Sequence, residues 1–205
     1  MRRLGPPALA ILFHAAALSP LAIIGWDYVG GGLTANPIEE LQRRTGTYAL
    51  TFLVLSLACT PAYFVSGIKH VLRLRRALGL YAFMYASLHF LNFVGLDYGF
   101  ALARIREDIF EKRYAVLGFA SFVMLLALAA TSTRGWMKRL GHTWRRLHWL
   151  VYVAAMLAVL HFQWQARVRD LQPTIVGAVV VLLLAVRIPL IKNAVESARS
   201  RLGIA

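Results

Sequence analysis

Long apolar stretches alternate with short polar ones along almost the whole chain. Each stretch approaches the roughly 20 apolar residues that a helix needs to cross the hydrocarbon core of a bilayer. The stretches cover, approximately, residues 7–25, 47–65, 76–96, 114–132, 147–165 and 174–191. Because backbone groups in lipid must be satisfied within the protein, we expect helices and no strands. The pattern predicts an all-α integral membrane bundle of six transmembrane helices.

The six stretches use most of the 205 residues, so we expect one domain, 1–205, and no internal repeat of fixed period. The composition agrees, because 16% of the residues are charged whereas soluble domains have about a quarter. The first stretch follows Arg2 and Arg3 as a signal peptide would, but its length favours an uncleaved helix. The single cysteine, Cys59, falls inside the second stretch, where we expect a buried thiol.

The net charge of +14 is unevenly distributed. With the N-terminus in the cytoplasm, the inner segments carry 15 of the 23 Lys and Arg residues and only one of the nine acids, Glu196. These inner segments are 1–6, 66–76, 133–146 and the chain from Arg187 onward. Positive residues are retained on the cytoplasmic side of membranes, which predicts N-in and C-in. Topology and lipid headgroups therefore explain the basic surplus, and no nucleic-acid partner is expected.

The connections also carry helical patterns. Residues 37–41, "PIEEL", follow an Asn-Pro turn and predict a short surface helix. The longest outer loop, 97–113, is partly amphipathic, so we expect it to lie along the membrane interface. The basic inner segment 133–146 is expected to be a loop, with Trp136 and Trp144 at headgroup level.

Two of the six histidines lie at matching depth in the predicted bundle. His89 is 13 residues beyond Arg76, which corresponds to about 20 Å at 1.5 Å per residue. His161 is 15 residues beyond Arg146, or about 22 Å by the same rise. Their helices run in the same direction, so both side chains reach the outer half of the bilayer. By contrast, His70 and His142 fall in the basic inner segments, where solvent exposure is expected.

Small residues precede both histidines on the same helix face. They are Ala86, Ala82 and Gly79 before His89, and Ala158, Ala155 and Ala154 before His161. Either these residues let helices pack closely, or they leave room for a flat macrocycle. Two facing imidazoles suit a haem iron with histidine at both axial positions. Zinc suits the pair less well, because it takes four ligands and the spans offer no nearby Cys or carboxylate.

A third histidine, His148, lies two residues past Arg146, near the inner interface. At that height the third span offers Arg75 and Arg76 in place of a histidine, so His14 is the best remaining partner. Thirteen residues at 100° each place His148 and His161 about 140° apart around an ideal helix, so they cannot face one neighbour. A second haem iron at His148 is possible from the sequence, and the number of haems stays open.

Three segments carry a family resemblance: "TGTYALTFLVLSLACTP", "RRALGLYAFMYASLHFLNF" and "LGHTWRRLHWLVYVAAMLAVLHFQW". They resemble the ferric-reductase-like transmembrane family, and within it the bacterial MsrQ (YedZ) family of haem-binding membrane subunits. The resemblance covers nearly the whole chain, and the spacing of His89, His148 and His161 is its specific part.

The resemblance implies a haem b protein of the bacterial inner membrane that also uses FMN. It implies that quinol supplies electrons, which pass to a periplasmic molybdopterin-containing methionine-sulfoxide reductase catalytic subunit. It places the iron ligands on His89 and His161, with His148 as ligand of a possible second haem. Wider relatives carry another histidine before the equivalent of His89, where this chain has Arg75 or Arg76.

Several alternatives remain at this stage. Residues after Pro189 include no Gly-rich loop, so we expect the electrons to come from quinol or from a separate flavin reductase rather than directly from NAD(P)H. The inner arginines either bind propionates and anionic lipid or only determine topology; they are Arg73, Arg75, Arg76, Arg139, Arg145 and Arg146. Rival functions are a quinone-linked cytochrome b with another acceptor, a proton-relaying transporter and a cofactor-free scaffold. The scarcity of acids within the spans disfavours the transporter.

Overall fold

The computed structural model describes residues 6–166, 170–189, 191–193, 195 and 197, with side chains from residue 8 onward. All of its elements are helices. They are α1 (Pro6–Gly30), α2 (Pro37–Ser66), α3 (Lys69–Leu91), a π-helical segment (Asn92–Asp97), α4 (Leu102–Glu111), α5 (Arg113–Ala130), α6 (Arg134–Leu147), α7 (Leu150–Gln165) and α8 (Gln172–Ala185). The predicted all-α fold is confirmed for the described residues. Arg2, Arg3 and Glu196, used in the topology prediction, lie outside them.

Helix α2 begins ten residues before its apolar stretch. The Asn36 side chain accepts a hydrogen bond from the backbone N–H of Glu39, Pro37 occupies the first turn, and Glu39 and Glu40 complement the helix dipole. The predicted short surface helix at 37–41 is therefore the first turn of α2, not a separate element. The helix ends at Gly67, whose φ of 72° gives the left-handed conformation in which its N–H bonds to Tyr63.

The core lies between two antiparallel helix pairs, α2 with α3 and α5 with α7, and α8 packs against both α2 and α7. Tyr85 of α3 is fully buried and stacks on Phe52 of α2, with ring centres 5.3 Å apart. Cys59 is buried nearby, as expected. Many apolar side chains of α1 remain exposed, as a lipid-facing helix surface requires.

Pro61 interrupts the backbone hydrogen bonds of α2 without ending the helix. Since proline has no N–H, the carbonyl of Leu57 four residues earlier loses its usual partner. The guanidinium of Arg187, beyond the end of α8, donates to this carbonyl at 2.6 Å and to the Tyr152 hydroxyl at 2.7 Å. The last described helix is thereby joined to both α2 and α7.

Four described segments are long and apolar enough to cross a membrane: Ala8–Gly30, Pro37–Ser66, Lys69–Asp97 and Arg113–Ala130. Helices α6 and α7 count as a fifth span if the pair, bent by 52°, is taken as one. Helix α8 has 14 residues, about 21 Å, which is shorter than a hydrocarbon core of about 30 Å. Six spans with N-in/C-in orientation remain a prediction.

The two polar connections are more ordered than expected. In the outer one, α4 buries Ile105 and Ile109 and packs against α5. In the inner one, the segment predicted to be a loop forms α6, a strongly amphipathic helix interrupted at Gly141, whose φ is 49°. The segment forms a helix rather than the predicted loop because its few apolar residues recur at helical spacing on one face.

Candidate functional site

His89 and His161 meet between α3 and α7. Their ring centres are 6.1 Å apart, and the ring planes are inclined by 83°. His89 lies in the last turn of α3, and His161 lies in the last turns of α7. The sequence prediction that these two side chains reach one level is therefore confirmed.

Each ring is held by a backbone carbonyl of a neighbouring helix. Nδ1 of His89 lies 2.9 Å from the carbonyl oxygen of Gln42 in α2, and Nδ1 of His161 lies 2.8 Å from that of Tyr114 in α5. A carbonyl can only accept, so Nδ1 carries the proton in both rings. The lone pair of each imidazole is then on Nε2. Metal-binding histidines are commonly oriented in this way.

The spacing of the rings fits two ligands of one metal ion. A metal–imidazole bond is about 2.0–2.1 Å, and a ring nitrogen lies about 1.1 Å from the ring centre, so opposed imidazoles have centres about 6.3 Å apart. The observed 6.1 Å agrees. No group of three or more metal-binding side chains occurs among the described residues. Two imidazoles alone suit haem, since the porphyrin supplies the four in-plane nitrogens.

The small residues before the histidines divide into two groups. Ala82, Ala154 and Ala155 are fully buried in the core, so close helix packing explains them. Ala86 and Ala158, one turn before each histidine, and Gly79, ten residues before His89, are only partly buried. Close packing in the core therefore does not account for these three residues.

The two histidine-bearing segments are similar in sequence, although no repeat of fixed period was expected. Residues 82–90 read "AFMYASLHF" and residues 154–162 read "AAMLAVLHF", which agree at six of nine positions. The offset of 72 residues also relates Gly46 to Gly118, and Gln42 to Tyr114. In both copies 47 residues separate the histidine from its carbonyl partner.

Sequence reasoning missed the residues that α2 and α5 contribute. These are Gln42 and Gly46 on one side, and Tyr114 and Gly118 on the other. The available signal was Gly118 in the interior of the predicted helix 114–132, because such a glycine costs about 1 kcal/mol relative to alanine and calls for a packing reason. Gly46 gave no such signal, since it lies one residue before the predicted stretch 47–65.

Among the described residues, a network of side-chain hydrogen bonds reaches His89 but not His161. The Gln42 amide nitrogen lies 3.3 Å from His89 Nε2, and its amide oxygen accepts from Asn92 at 2.7 Å. Asn92 is buried at the start of the π-helical segment and also donates to the Ile38 carbonyl. Its own Oδ1 is buried without a hydrogen-bond partner. Short π-helical segments often occur at functional sites.

His148 lies apart from this pair, in the turn where α6 meets α7. Its Nδ1 donates to the Trp144 carbonyl at 3.1 Å, its ring stacks on Trp144, and its Nε2 lies 3.5 Å from the Ser132 hydroxyl. His14, the suggested partner, instead bonds to the Tyr81 hydroxyl at 2.8 Å. Among the described residues no contact joins His14 to His148, so the structure does not bring this pair together.

The inner arginines form no ion pair with any described carboxylate. Arg139 lies over the Trp136 ring at 5.7 Å, and the backbone carbonyl of Arg75 accepts a hydrogen bond from Ser56. Binding of propionates or lipid headgroups by these arginines remains a prediction.

Comparison with known proteins identifies the family. The family described as "Ferric reductase like transmembrane component" matches residues 31–159. The "Protein-methionine-sulfoxide reductase heme-binding subunit MsrQ" of Xanthomonas euvesicatoria pv. vesicatoria is 43% identical over 88% of this chain and 86% of its own length. The protein of the same name from Bordetella pertussis is 44% identical over 86% and 87%. With the paired histidines and apolar helices described above, these matches show that the chain belongs to the MsrQ family of ferric-reductase-like transmembrane proteins.

Proposed function

We propose that the chain is the haem-binding electron-transfer subunit of a membrane protein-methionine-sulfoxide reductase system. The observation that carries the proposal is the His89–His161 pair, with its ring centres 6.1 Å apart and both Nδ1–H groups on carbonyls. The names of the relatives support the same role.

The protein's own part is to bind and orient one haem b. His89 and His161 would ligate the iron through Nε2, while the carbonyls of Gln42 and Tyr114 fix ring tautomer and direction. Ala86 and Ala158 would lie next to the macrocycle. Haem supplies a reversible one-electron couple, whose potential depends on these ligands and on burial.

The donor and acceptor belong to the same proposal. We infer that residues 1–205 form one domain of the bacterial inner membrane. Quinol, or a separate flavin reductase, would supply electrons from the basic inner side. A periplasmic molybdopterin-containing catalytic subunit would accept them at the outer side, near the level of the histidine pair. The excess of Lys and Arg in the inner segments supports this orientation.

FMN is proposed from family resemblance only. The described groove of about 370 Å³ beside Phe90 is lined by apolar side chains and Arg106, which is not the set of donors that a flavin phosphate requires. We therefore assign no residue to FMN and derive no step through it.

A second haem at His148 is a separate part of the proposal. Its Nε2 faces Ser132 and its ring is covered by Trp144, so iron binding there would need a partner other than His14. Haem stoichiometry decides this point. His148→Ala should leave the His89–His161 centre intact and remove only a second centre.

The absorption spectrum of the purified chain tests the proposal. A haem with two histidine ligands gives a sharp Soret band and split visible bands on reduction, whereas a transporter or scaffold gives none. His89→Ala and His161→Ala should each abolish low-spin haem. His70→Ala and His142→Ala are matched controls, because both side chains are exposed at the inner side. Retention of wild-type haem by both ligand variants would contradict the proposal.

A quinone-linked cytochrome b with another acceptor would give the same spectrum. Oxidation of the reduced chain by the purified periplasmic catalytic subunit distinguishes the two functions. The proposed function requires that oxidation to depend on added methionine sulfoxide.

A further inference from the structure

We propose that Gly46 and Gly118 are positioning residues of the histidine site. Each glycine exposes the backbone carbonyl four residues earlier, so that this carbonyl orients one imidazole. The inference rests on the proposed function in one respect, since it takes His89 and His161 to be iron ligands.

Both histidine rings occupy the space that a side chain at these positions would fill. A Cβ atom on Gly46 would lie 2.9 Å from His89 Nδ1, and a Cβ atom on Gly118 would lie 2.7 Å from His161 Nδ1. Contacts this short essentially do not occur between real atoms of these types, so an alanine would displace the ring or the helix. The atom approached is in each case the nitrogen that donates to the carbonyl.

Helix geometry explains why the glycine lies four residues after the carbonyl. The Cα–Cβ bonds of a helix tilt toward its N-terminus, so the side chain at position i+4 covers the surface above the carbonyl at position i. That carbonyl already accepts the helical N–H of residue i+4 with one lone pair and keeps a second. Without a Cβ at i+4, an imidazole N–H can reach the second lone pair from the side.

The same relation recurs elsewhere in these helix pairs. Ser56 of α2 donates to the Arg75 carbonyl at 2.9 Å, and the residue four positions after Arg75 is Gly79. Ser121 of α5 donates to the Ala154 carbonyl at 2.9 Å, and four positions later is Ala158. Ala158 shows that a Cβ at i+4 is compatible with a hydroxyl donor, and a Cβ on Gly79 would make only an ordinary contact with Ser56. The close approach that requires glycine is therefore found with the larger imidazole rings, at Gly46 and Gly118.

The repeat provides an independent argument. Gly46 and Gly118 are related by the 72-residue offset that relates His89 to His161. The carbonyl residues at the equivalent positions, Gln42 and Tyr114, differ in their side chains. The two helix pairs, α2–α3 and α5–α7, therefore share the parts that orient each ring: glycine, a backbone carbonyl and histidine.

The first experiment compares Gly46→Ala and Gly118→Ala with Gly79→Ala in the haem-loaded full chain. Gly79 is the matched control, because a Cβ there would lie 3.5 Å from the Ser56 hydroxyl, an ordinary contact. Haem per chain, the low-spin absorption bands and the midpoint potential are measured. We expect loss of low-spin haem or a shifted potential in the first two variants and wild-type values in the control. Wild-type spectra and potentials in all three would overturn the inference.

The second experiment uses thermal stability of the haem-free chain, which does not depend on any cofactor. Gly118→Ala should lower the melting temperature through its contact with His161, and much less so in a His161→Ala background, where the ring is absent. Gly46→Ala with His89→Ala forms the equivalent cycle. Strict additivity in both cycles would overturn the inference.

The two experiments separate the inference from the proposed function. If His89→Ala and His161→Ala keep their haem, the proposed function fails, whatever the cycles show, and the glycines position no ligand. If those variants lose haem while both glycine variants keep the wild-type spectrum and potential, only the inference fails.

Discussion

The two arms of the molecule, α2–α3 and α5–α7, solve the same problem with one device. In each arm, a histidine near the end of the second helix donates through Nδ1 to a backbone carbonyl of the first helix. A glycine four residues after that carbonyl leaves space for the imidazole ring. The distances from Nδ1 to the carbonyl oxygen, 2.9 and 2.8 Å, are nearly equal. The arms therefore agree where the backbone orients the ring.

They differ in what surrounds the free nitrogen. His89 Nε2 already has the Gln42 amide at 3.3 Å, and that amide is held by Asn92. His161 has no described side-chain hydrogen bond, and its nearest aromatic neighbours are His89 and Tyr114. A metal ion could bind Nε2 of His161 directly, but at His89 it must displace the Gln42 amide from Nε2. The two arms therefore orient their imidazole rings in the same way, but Nε2 is accessible in only one of them.

The two arms differ more at the end that contains Arg76 in one and His148 in the other. The residue equivalent to His148 under the 72-residue offset is Arg76. Helix α3 continues as one helix past Arg76, whereas the second arm is bent by 52° at the junction that contains His148. The symmetry that brings His89 and His161 together therefore does not bring a second pair of histidines together at the level of His148.

The largest expected effect comes from removing one ligand and supplying it in solution. His89→Gly and His161→Gly should each lose low-spin haem, because one axial ligand is absent. Added imidazole should restore the low-spin spectrum at lower concentration in His161→Gly, since no amide competes there. Equal imidazole requirements would show that the Gln42 contact is unimportant for metal binding.

The angle between the rings predicts a spectroscopic signature. Near-perpendicular axial imidazoles make the iron d orbitals that interact with the rings almost equal in energy. The 83° angle therefore predicts a strongly anisotropic low-spin ferric signal, with one prominent low-field feature in electron paramagnetic resonance. A rhombic spectrum with three well-resolved features would mean that the rings are closer to parallel in the haem-loaded protein.

A smaller effect is expected from Gln42→Leu. The variant keeps the backbone carbonyl, so His89 should stay oriented and low-spin haem should be retained, with faster haem loading. Gln165→Leu, at an exposed position at the end of α7, is the matched control. Loss of haem in Gln42→Leu alone would mean that the side chain, rather than the carbonyl, positions His89.

The smallest effect concerns the outer connection between the arms. Tyr98, after the π-helical segment, and Lys112, before α5, both donate to Asp108. These hydrogen bonds, that from Lys112 first, lower the pKa of the Asp108 carboxyl below its ordinary value of 3.8. The stabilisation is present at neutral pH and is lost as the pH falls through the lowered pKa.

Asp108→Asn should therefore reduce thermal stability at neutral pH by at most about 1 kcal/mol, because Lys112 is largely exposed. The difference from wild type should disappear in strong acid. Glu107→Gln, at an exposed position without an ion pair, is the control. A loss that persists unchanged in acid would indicate a role other than this ion pair.

The sequence was sufficient for the apolar helices and for the matched depths of His89 and His161, because both depend on distance along one helix. It was insufficient for Gln42 and Tyr114, which act through backbone carbonyls that carry no residue-type signal. Gly118 was readable only as an unexplained cost within a predicted helix, and Gly46 lay just before one. The similarity between the two histidine-bearing segments is present in the sequence but covers only nine residues.

The offset between the arms has a consequence for the symmetry of the site. Helices α2 and α5 run in the same direction, as do α3 and α7, so an approximate two-fold axis roughly parallel to these helices relates the two imidazoles. One helix hairpin paired with a second copy of itself would therefore supply every element of the paired-histidine site: two histidines, two carbonyls and two glycines. The bend and His148 belong to one arm alone and lie outside this symmetry.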